Sequence, residues 1–588
     1  MVRKRQQYMR WLIGLIVLVI ASYLLSKLYL RYDLTAEKRY TLSNSTVQLL
    51  NDLDTLSDGS IDITVFLDGD LPADYRKLSA STEELLNNFK QLSGGMINVK
   101  FEKPGESLDD TARLALYDSL ARIGVVFENA EEVSTNKDAA TSRLIIPSAL
   151  VQYGNKMPIA IDLRSSRKIF RQFNVINDVP QEDVEATRNA AEALLEYKFA
   201  NAIDKLTRTK VPVVAYVIGN GQPDYPRVTD LVNTLKNEYR LGIFDLKQSY
   251  PDPAQIDALL MVKPSKPFTD EDKLKLDQYI LNGGKVIWMI DKLYAEMDSL
   301  LRSQRDFVAF DRGLNIDDLL FKYGVRINSD LVQDLNCSKI PMVIGQNADG
   351  SPRMQRIPWP YYPFLSGHQP NPISRNLDRV LPLFPSSIDT VKAPGITKTV
   401  LLATDTNSRR LQTPAMVSLN SVRTDEDFAS FQKNYIPVAV LLEGQFQSPF
   451  AYRLSHEALD SLQRNTGKPF ITQAAKSVKQ IVIADGDIVT NMVSQTQGTM
   501  PMGMIPLENY RFANREFMLN CVDYLVSERA LYESRNKDFV LRLLDKEKVA
   551  RDRGFWQLIG IGMPILLIIL LGFFIQWRRK STFAGPSI

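Results

Sequence analysis

The strongest pattern of apolar and polar positions lies between residues 211 and 291. Residues 211–218 form a β-branched apolar run that stops at Gly219-Asn220-Gly221, which predicts a buried strand feeding a tight turn. Residues 224–239 then place Val228, Leu231, Val232, Leu235 and Tyr239 at helical spacing. Residues 242–246 read as a short second strand and residues 258–262 (ALLMV) as a third, closed by Lys263-Pro264. Thr269 suits the cap of the next helix, whose first turn holds Asp270, Glu271 and Asp272, where the helix dipole favours negative charge. That helix carries Leu274, Leu276, Tyr279, Ile280 and Leu281 and stops at Gly283-Gly284. Residues 285–290 (KVIWMI) predict a fourth strand, ending at Asp291. Such alternation with short loops predicts an α/β fold: a doubly wound, mostly parallel sheet with helices on both faces.

Upstream, the pattern predicts strand 61–67, helix 73–92, strand 97–102 and helix 109–123, then strands at 124–128, 144–151 and 157–163 with a hairpin at Gly154-Asn155. This first α/β domain, residues 33–180, has a loosely thioredoxin-like order, but the absence of Cys-x-x-Cys excludes dithiol chemistry. A long amphipathic helix over 181–207 leads into the second α/β domain, residues 181–530, which carries β-rich and loop insertions. Residues 351–376 have six prolines interleaved with Arg353, Arg356, Trp359, Tyr361, Tyr362, Phe364 and His368. They read as a long structureless segment, serving either as a protein interface or as a plug over a domain seam. Further strands are expected at 400–404, 436–443 and 480–484, and an amphipathic helix at 512–528 that buries Cys521.

Both ends read as membrane helices. Residues 11–30 are apolar, follow Arg3, Lys4, Arg5 and Arg10, and contain Lys27 near one end, where it can snorkel. The rival for this segment is a signal peptide cleaved near Val19-Ile20-Ala21. Residues 558–575 carry no charge, are flanked by Trp556 and Trp577, and precede Arg578, Arg579 and Lys580. The expected order is a cytoplasmic start (1–10), a first span (11–30), the two domains, a connector (531–555), a second span (556–577) and a cytoplasmic tail (578–588). The basic flanks put both termini in the cytoplasm and the large region outside it.

Composition narrows the chemistry. A chain of 588 residues with 45% apolar and 24% charged content is an ordinary globular protein of more than one domain. The net charge of +3, with 71 basic against 68 acidic residues, gives no field for nucleic acid. Two cysteines, Cys337 and Cys521, make no thiolate cluster, although a disulfide between them stays open; two histidines, His368 and His456, leave little for zinc or general-base work. The turns after the strands, at Gly219 to Gln222, at Lys263-Pro264-Ser265 and at Asp291-Lys292, hold neither Cys nor His. Gly219-Asn220-Gly221 lacks the third glycine of a dinucleotide fingerprint, and no Walker motif occurs. The expectation is a non-enzymatic protein without cofactor or metal. A ligand, if bound, belongs in the crevice at the strand ends, near Asn220, Gln222, Ser265 and Asp291. Asp485-Gly486-Asp487 reads as a turn and only faintly as a calcium loop. Met500-Pro501-Met502-Gly503-Met504 offers thioethers for Cu(I), but reads better as adaptable apolar contact.

A resemblance adds to this. The stretch Tyr32-Asp33-Leu34-Thr35 through Thr41-Leu42-Ser43 looks like the opening of GldG-type auxiliary proteins of gliding-motility ABC transporters. Such proteins also close with a pattern like Leu541-Arg542-Leu543-Leu544-Asp545, then Trp556-Gln557, a proline-containing span and a basic tail. The resemblance implies an amidotransferase-like or sugar-binding type of α/β fold in the second domain. It further implies a bacterial inner-membrane protein with a periplasmic domain, a GldF-like permease and a GldA-like ATPase as partners, and a link to gliding motility or secretion. Under that reading Arg353, Arg356, Trp359, Tyr361, Tyr362 and Pro564 are candidate partner contacts. A membrane-tethered extracytoplasmic ligand-binding protein, with a glycan as one candidate ligand, is the alternative.

Overall fold

The computed structural model describes residues 14, 16, 33, 41–53, 59–133, 140–165, 184–297, 306–346, 350–375, 377–419, 424–494, 498–504, 510–527, 529, 531–536 and 546–583. The predicted first span and the Leu541 to Asp545 motif lie outside this description, apart from two helical positions, Gly14 and Ile16. The chain divides into two units, residues 1–539 and 540–588.

The first unit begins with helix α1 (Asn44–Asp52), capped by Ser43, whose hydroxyl accepts from the Thr46 amide at 3.3 Å. Strand β1 (Ile61–Val65), helix α2 (Ala73–Leu92) and strand β2 (Ile97–Phe101) make a parallel βαβ unit, followed by helix α3 (Asp110–Ile123). Asp109 caps α3, and Gly124 ends it in a left-handed turn. A two-stranded ribbon follows, β3 (Glu128–Val133) with β4 (Ala140–Ile145), then β5 (Ser148–Tyr153) and β6 (Ile159–Asp162). The sheet order is β2-β1-β5-β6, with β5 antiparallel to both β1 and β6. One strand was expected over 144–151; two form instead. Pro147 has no N–H for the ladder, and the Ser148 amide turns back to Ile146. Ile61, Ile63 and Val65 point from β1 into a core closed by Leu78, Leu86 and Phe89 of α2 and by Phe199 and Ile203 of helix α4 (Val184–Thr207).

The larger sheet starts with β7 (Val213–Ile218), helix α5 (Thr229–Lys236), β8 (Arg240–Asp245), β9 (Ala258–Val262), helix α6 (Asp270–Leu281) and β10 (Lys285–Met289). Helix α5 is shorter than the apolar spacing implied, because Pro223 and Pro226 hold residues 223–228 in a turn closed by Arg227 N–H to the Asp224 carbonyl. The cap of α6 is as expected: Thr269 and Asp272 form a reciprocal capping box. Beyond β10 come β11 (Leu293–Tyr294), β12 (Asp306–Asp311), helix α7 (Asp317–Tyr323), β13 (Val325–Ile327), β14 (Asp330–Asp334), β15 (Cys337–Gln346) and β16 (Pro352–Pro363). They are followed by β17 (Ile388–Thr390), β18 (Ile396–Ala403), β19 (Ser408–Gln412), β20 (Ala415–Ser418), β21 (Pro437–Gly444), helix α8 (His456–Thr466), β22 (Val478–Ile483) and helix α9 (Asn514–Val526).

The seven strands run in the order β18-β21-β22-β10-β9-β7-β8. Strands β8, β7, β9, β10 and β22 are parallel, and β21 is antiparallel to its neighbours. Every side chain of β9 is buried, as a central parallel strand sandwiched by helices requires.

The proline-rich segment departs from the expectation of a structureless loop. Residues 352–363 form strand β16, paired antiparallel with β15 through two register shifts. A two-stranded ribbon lets prolines face its open edge, where no N–H is needed. Trp359, Tyr361 and Tyr362 are buried in a core with Phe384, Ala309 and Val417. Cys337 and Cys521 are both buried and no disulfide joins them, Cys521 lying inside the core beneath the large sheet. Met502 is also fully buried there, so the methionine loop is apolar packing.

Among the described residues, the second unit is one 38-residue helix, α10 (Lys546–Phe583), containing Pro564. Residues 551–581 are long and apolar enough to cross a membrane, and their apolar window is wholly unburied.

Candidate functional site at the strand ends

Because β7, β9, β10 and β22 are parallel, the loops after them meet at one edge of the sheet. The order reverses between β7 and β9, since β8 lies on the far side of β7, and there the fold leaves a crevice. Asn220, Gln222 and Ser265 do come together in it. They hydrogen-bond to one another there, while the buried Asn220 Oδ1 accepts no bond from the described residues. The Asn220 carbonyl accepts from the amides of Ser265 and Lys266, each at 2.9 Å. The Ser265 hydroxyl donates to the Gly221 carbonyl at 2.7 Å, and the Gln222 side chain accepts from Asn220 N–H at 2.8 Å. Its amide donates to the Met261 sulfur at 3.2 Å. Gly221 is obligatory: its φ is +73°, and a Cβ there would lie 2.3 Å from the Ser265 hydroxyl oxygen. The Ser265 proton is committed to a carbonyl, which cannot take it up as a base would, so the hydroxyl is not activated as a nucleophile.

Asp291 belongs to a different cluster, between β9, β10 and β22. It lies beside Asp485 and Asp487, the three offering carboxylate oxygens within 4.8 Å of one another. The Lys263 ammonium stands 2.6 Å from Asp487 and 3.2 Å from Asp291, with Glu296 at 3.9 Å. Arg312 adds a second positive charge, 2.9 Å from Glu296 and 3.8 Å from Asp291. Two of the three carboxylates are also held by the backbone, and Asp487 instead accepts from the Thr490 hydroxyl at 2.8 Å. Gly486 N–H donates to Asp291; Leu383 and Asp487 amides donate to Asp485 at 3.0 and 2.9 Å. Lys263 itself has a left-handed backbone, φ 41°, and a Cβ at Gly486 would lie 2.5 Å from the Lys263 Cβ. The loops after β9 and β22 therefore touch backbone to backbone, and only glycine fits at 486.

Burial pushes Asp485 well above the usual carboxylate range and Asp291 upward too, with the neighbouring aspartates adding to both and Lys263 opposing. For Lys263 burial acts downward, but the attraction of Asp291 and Asp487 outweighs it and holds the ammonium above its ordinary value. Chemically the cluster is a neutralised knot. The lysine supplies the positive charge a divalent ion would bring, and the backbone amides use the oxygens an ion would need, so the residues do not suit a metal.

The two histidines stay apart from this edge. The His368 ring sits against Tyr435, and its Nε2 lies 2.9 Å from the Thr404 carbonyl and 3.2 Å from the Ser366 hydroxyl. A nitrogen donating to a carbonyl cannot accept the Ser366 proton, so this pair is no nucleophile and base. His456 opens α8 behind its cap Ser455. Burial pushes the Cys337 thiol up to about 12, which keeps it unreactive. Of the expected partner contacts, Arg353 and Arg356 are exposed on β16 and Pro564 lies inside α10, whereas Trp359, Tyr361 and Tyr362 are interior and present no outer face. Sequence reasoning missed Lys263 and the pairing of Asp291 with Asp485 and Asp487. The only signals were a lysine directly after ALLMV and the Asp-Gly-Asp turn.

Residues 211–521, more than half of the chain, match the model of the family described as an ABC-type uncharacterized transport system. The chain belongs to that family. The ABC-type transport family region spans both the doubly wound sheet and its β-rich insertions, and ends within α9. Residues 36–152 match a second family, a domain of unknown function, DUF7088. No curated protein sequence matches. Among solved structures, the chain resembles the N-terminal domain of mmIFT52, with 12% identity and a TM-score of 0.30 over 54% of this chain and 97% of that one. It also resembles the exo-beta-1,4-mannosidase Op5Man5 from Opitutaceae bacterium strain TAV5, with 9% identity and a TM-score of 0.20 over 62% of this chain and 40% of that one. Family membership and the apolar helix α10 together make this a membrane-associated auxiliary component of an ABC transport system.

Proposed function

We propose that the protein is a non-enzymatic, GldG-type auxiliary subunit of an ABC transport complex serving gliding motility or secretion. It stands beside a GldF-like permease driven by a GldA-like ATPase, in the bacterial inner membrane, with both termini cytoplasmic and the large unit periplasmic. The observation that carries the reading is the family match joined to α10. That helix holds an uncharged, unburied 18-residue stretch, residues 558–575, and Arg578, Arg579 and Lys580 come after that stretch. The strand-end crevice supports a non-catalytic role, since its Ser265 hydroxyl donates to the Gly221 carbonyl and has no Cys, His or carboxylate base among its hydrogen-bond partners. On this reading the amidotransferase-like fold that the family resemblance implies serves as architecture and not as catalytic machinery.

Pro564 and the glycines at 560, 562 and 572 give α10 close-approach surfaces that a simple anchor does not need. The test replaces both predicted spans with unrelated membrane helices of equal length and measures permease recovery in mild detergent. Recovery should fall severalfold. Undiminished recovery would place the contact in the periplasmic unit and refute association through the spans.

A further inference from the structure

A concavity of about 760 Å³ lies away from the strand ends, between α7 and the segments 447–453 and 472–473 that leave β21 and lead into β22. Its size is that of a small-molecule site. Two aromatic rings open into it. Phe321 is 53% exposed on α7, although the same helix buries Leu319, Leu320 and Tyr323. Tyr452 is fully exposed and has a left-handed backbone, φ 64°, which a tyrosine seldom adopts. Gln447 and Gln473 are partners in an antiparallel bridge, which sets their side chains on one side of the pair.

The charges sort into used and unused. Asp317 is paired with Lys292 at 2.7 Å and Asp318 with Lys273 at 2.8 Å. Among the described residues, Lys322 and Arg453 have no carboxylate within ion-pair distance, so the pocket offers two cations without matching anions. Both walls are fixed from below by one buried carboxylate. Asp277 accepts from the Tyr323 hydroxyl of α7 and from the Ser448 hydroxyl of the opposite segment, each at 2.7 Å. The backbone walls held this way lose little order on binding, while the fully exposed Tyr452 ring is ordered by the ligand.

Two aromatic faces, two amides and two free cations recognise one chemistry well. The apolar face of a pyranose lies on the rings, its hydroxyls meet the amides, and a carboxylate meets the arginine and lysine. We propose that this pocket binds a carboxylate-bearing saccharide of the uronic-acid class.

The inference is independent of the subunit assignment above, because it is tested on the purified chain without a permease. Full-length protein in a neutral detergent is titrated calorimetrically with tetragalacturonate, with maltotetraose and with citrate. Tetragalacturonate should bind at least ~10-fold more tightly than either other probe, given the charge-assisted contacts. Arg453→Gln should abolish that preference, and Tyr452→Ala should weaken saccharide binding about tenfold. Both side chains are exposed, so neither change should disturb folding, which circular dichroism checks. Absence of tetragalacturonate binding would overturn the proposal, as would equal binding of citrate, which marks a plain anion site. Equal binding of maltotetraose with a silent Arg453→Gln would overturn the acidic assignment. Failure here leaves the span-swap result untouched, and the reverse also holds.

Discussion

Replacing Lys263 with methionine tests whether the strand-end cluster is a structural knot. Methionine keeps the length and apolar stem and adopts the same left-handed backbone at similar strain, so the change removes mainly the ammonium. The lysine side chain is 11% exposed, with Asp291 at 9% and Asp487 at 12%, so water screens the pair poorly. Removing one member of a buried pair leaves the other charge uncompensated, at a cost of about 3–5 kcal/mol. Asp485 and Asp291, already raised by burial, rise further without the lysine. The pH dependence follows from that direction. A carboxyl whose folded pKa is raised favours the folded state at low pH and loses that contribution as pH rises through the folded value. The loss from Lys263→Met should therefore be largest near pH 7.5 and shrink toward pH 5, as the aspartates take up protons. Lys263 stays charged throughout this range, because its folded pKa lies above the ordinary lysine value. Urea unfolding followed by the fluorescence of Trp288, fully buried in β10, reads the change as a shift in midpoint. Adding Asp487→Asn should restore part of the stability. A change within about 0.5 kcal/mol at pH 7.5, or a loss that grows toward pH 5, would refute the account.

Two further outcomes rest on the same geometry. Gly221→Ala should destabilise by about 1–3 kcal/mol, from the positive φ and the overlap with Ser265, and adding Ser265→Ala should recover the overlap part; thermal unfolding of the single and double variants decides it. Burial pushes the Asp277 carboxyl up to about 6, against the hydrogen bonds from Ser448, Tyr323 and Gln278. Its contribution is complete below the unfolded value of about 3.9 and is lost as pH rises through 6, a range worth about 3 kcal/mol. Asp277→Asn should flatten the urea midpoint between pH 4.5 and 7; an unchanged slope would refute that role.

How far the sequence could be read depended on whether local and tertiary signals agreed. Thr269 and Asp272 sit three residues apart at the head of an apolar-periodic run, and α6 begins where that pair caps it. Residues 258–262 are apolar throughout, and only a strand buried on both faces accommodates that run between its turn signals. The four expected crevice residues fall into two clusters: Asn220, Gln222 and Ser265 bond to one another, whereas Asp291 joins Lys263, Asp485 and Asp487. Prolines at 352, 358, 360 and 363 masked β16, because proline argues against strand wherever the partner edge is unknown.

The sequence by itself determined those elements whose signals lie within a few residues: helix caps, glycine stops, buried strand runs and the apolar helix α10. Tertiary structure decided what joins across the chain. Strands β18, β21 and β22 enter the same sheet as β7 to β10, and Lys263 meets Asp487 across 224 residues. It also turned Trp359, Tyr361 and Tyr362 inward and brought Phe321 and Tyr452 to the lining of one concavity. The physical reason is that caps and periodicity are energies of neighbouring residues, whereas register, burial and charge pairing are energies of distant ones. Those are settled only when the sheet closes.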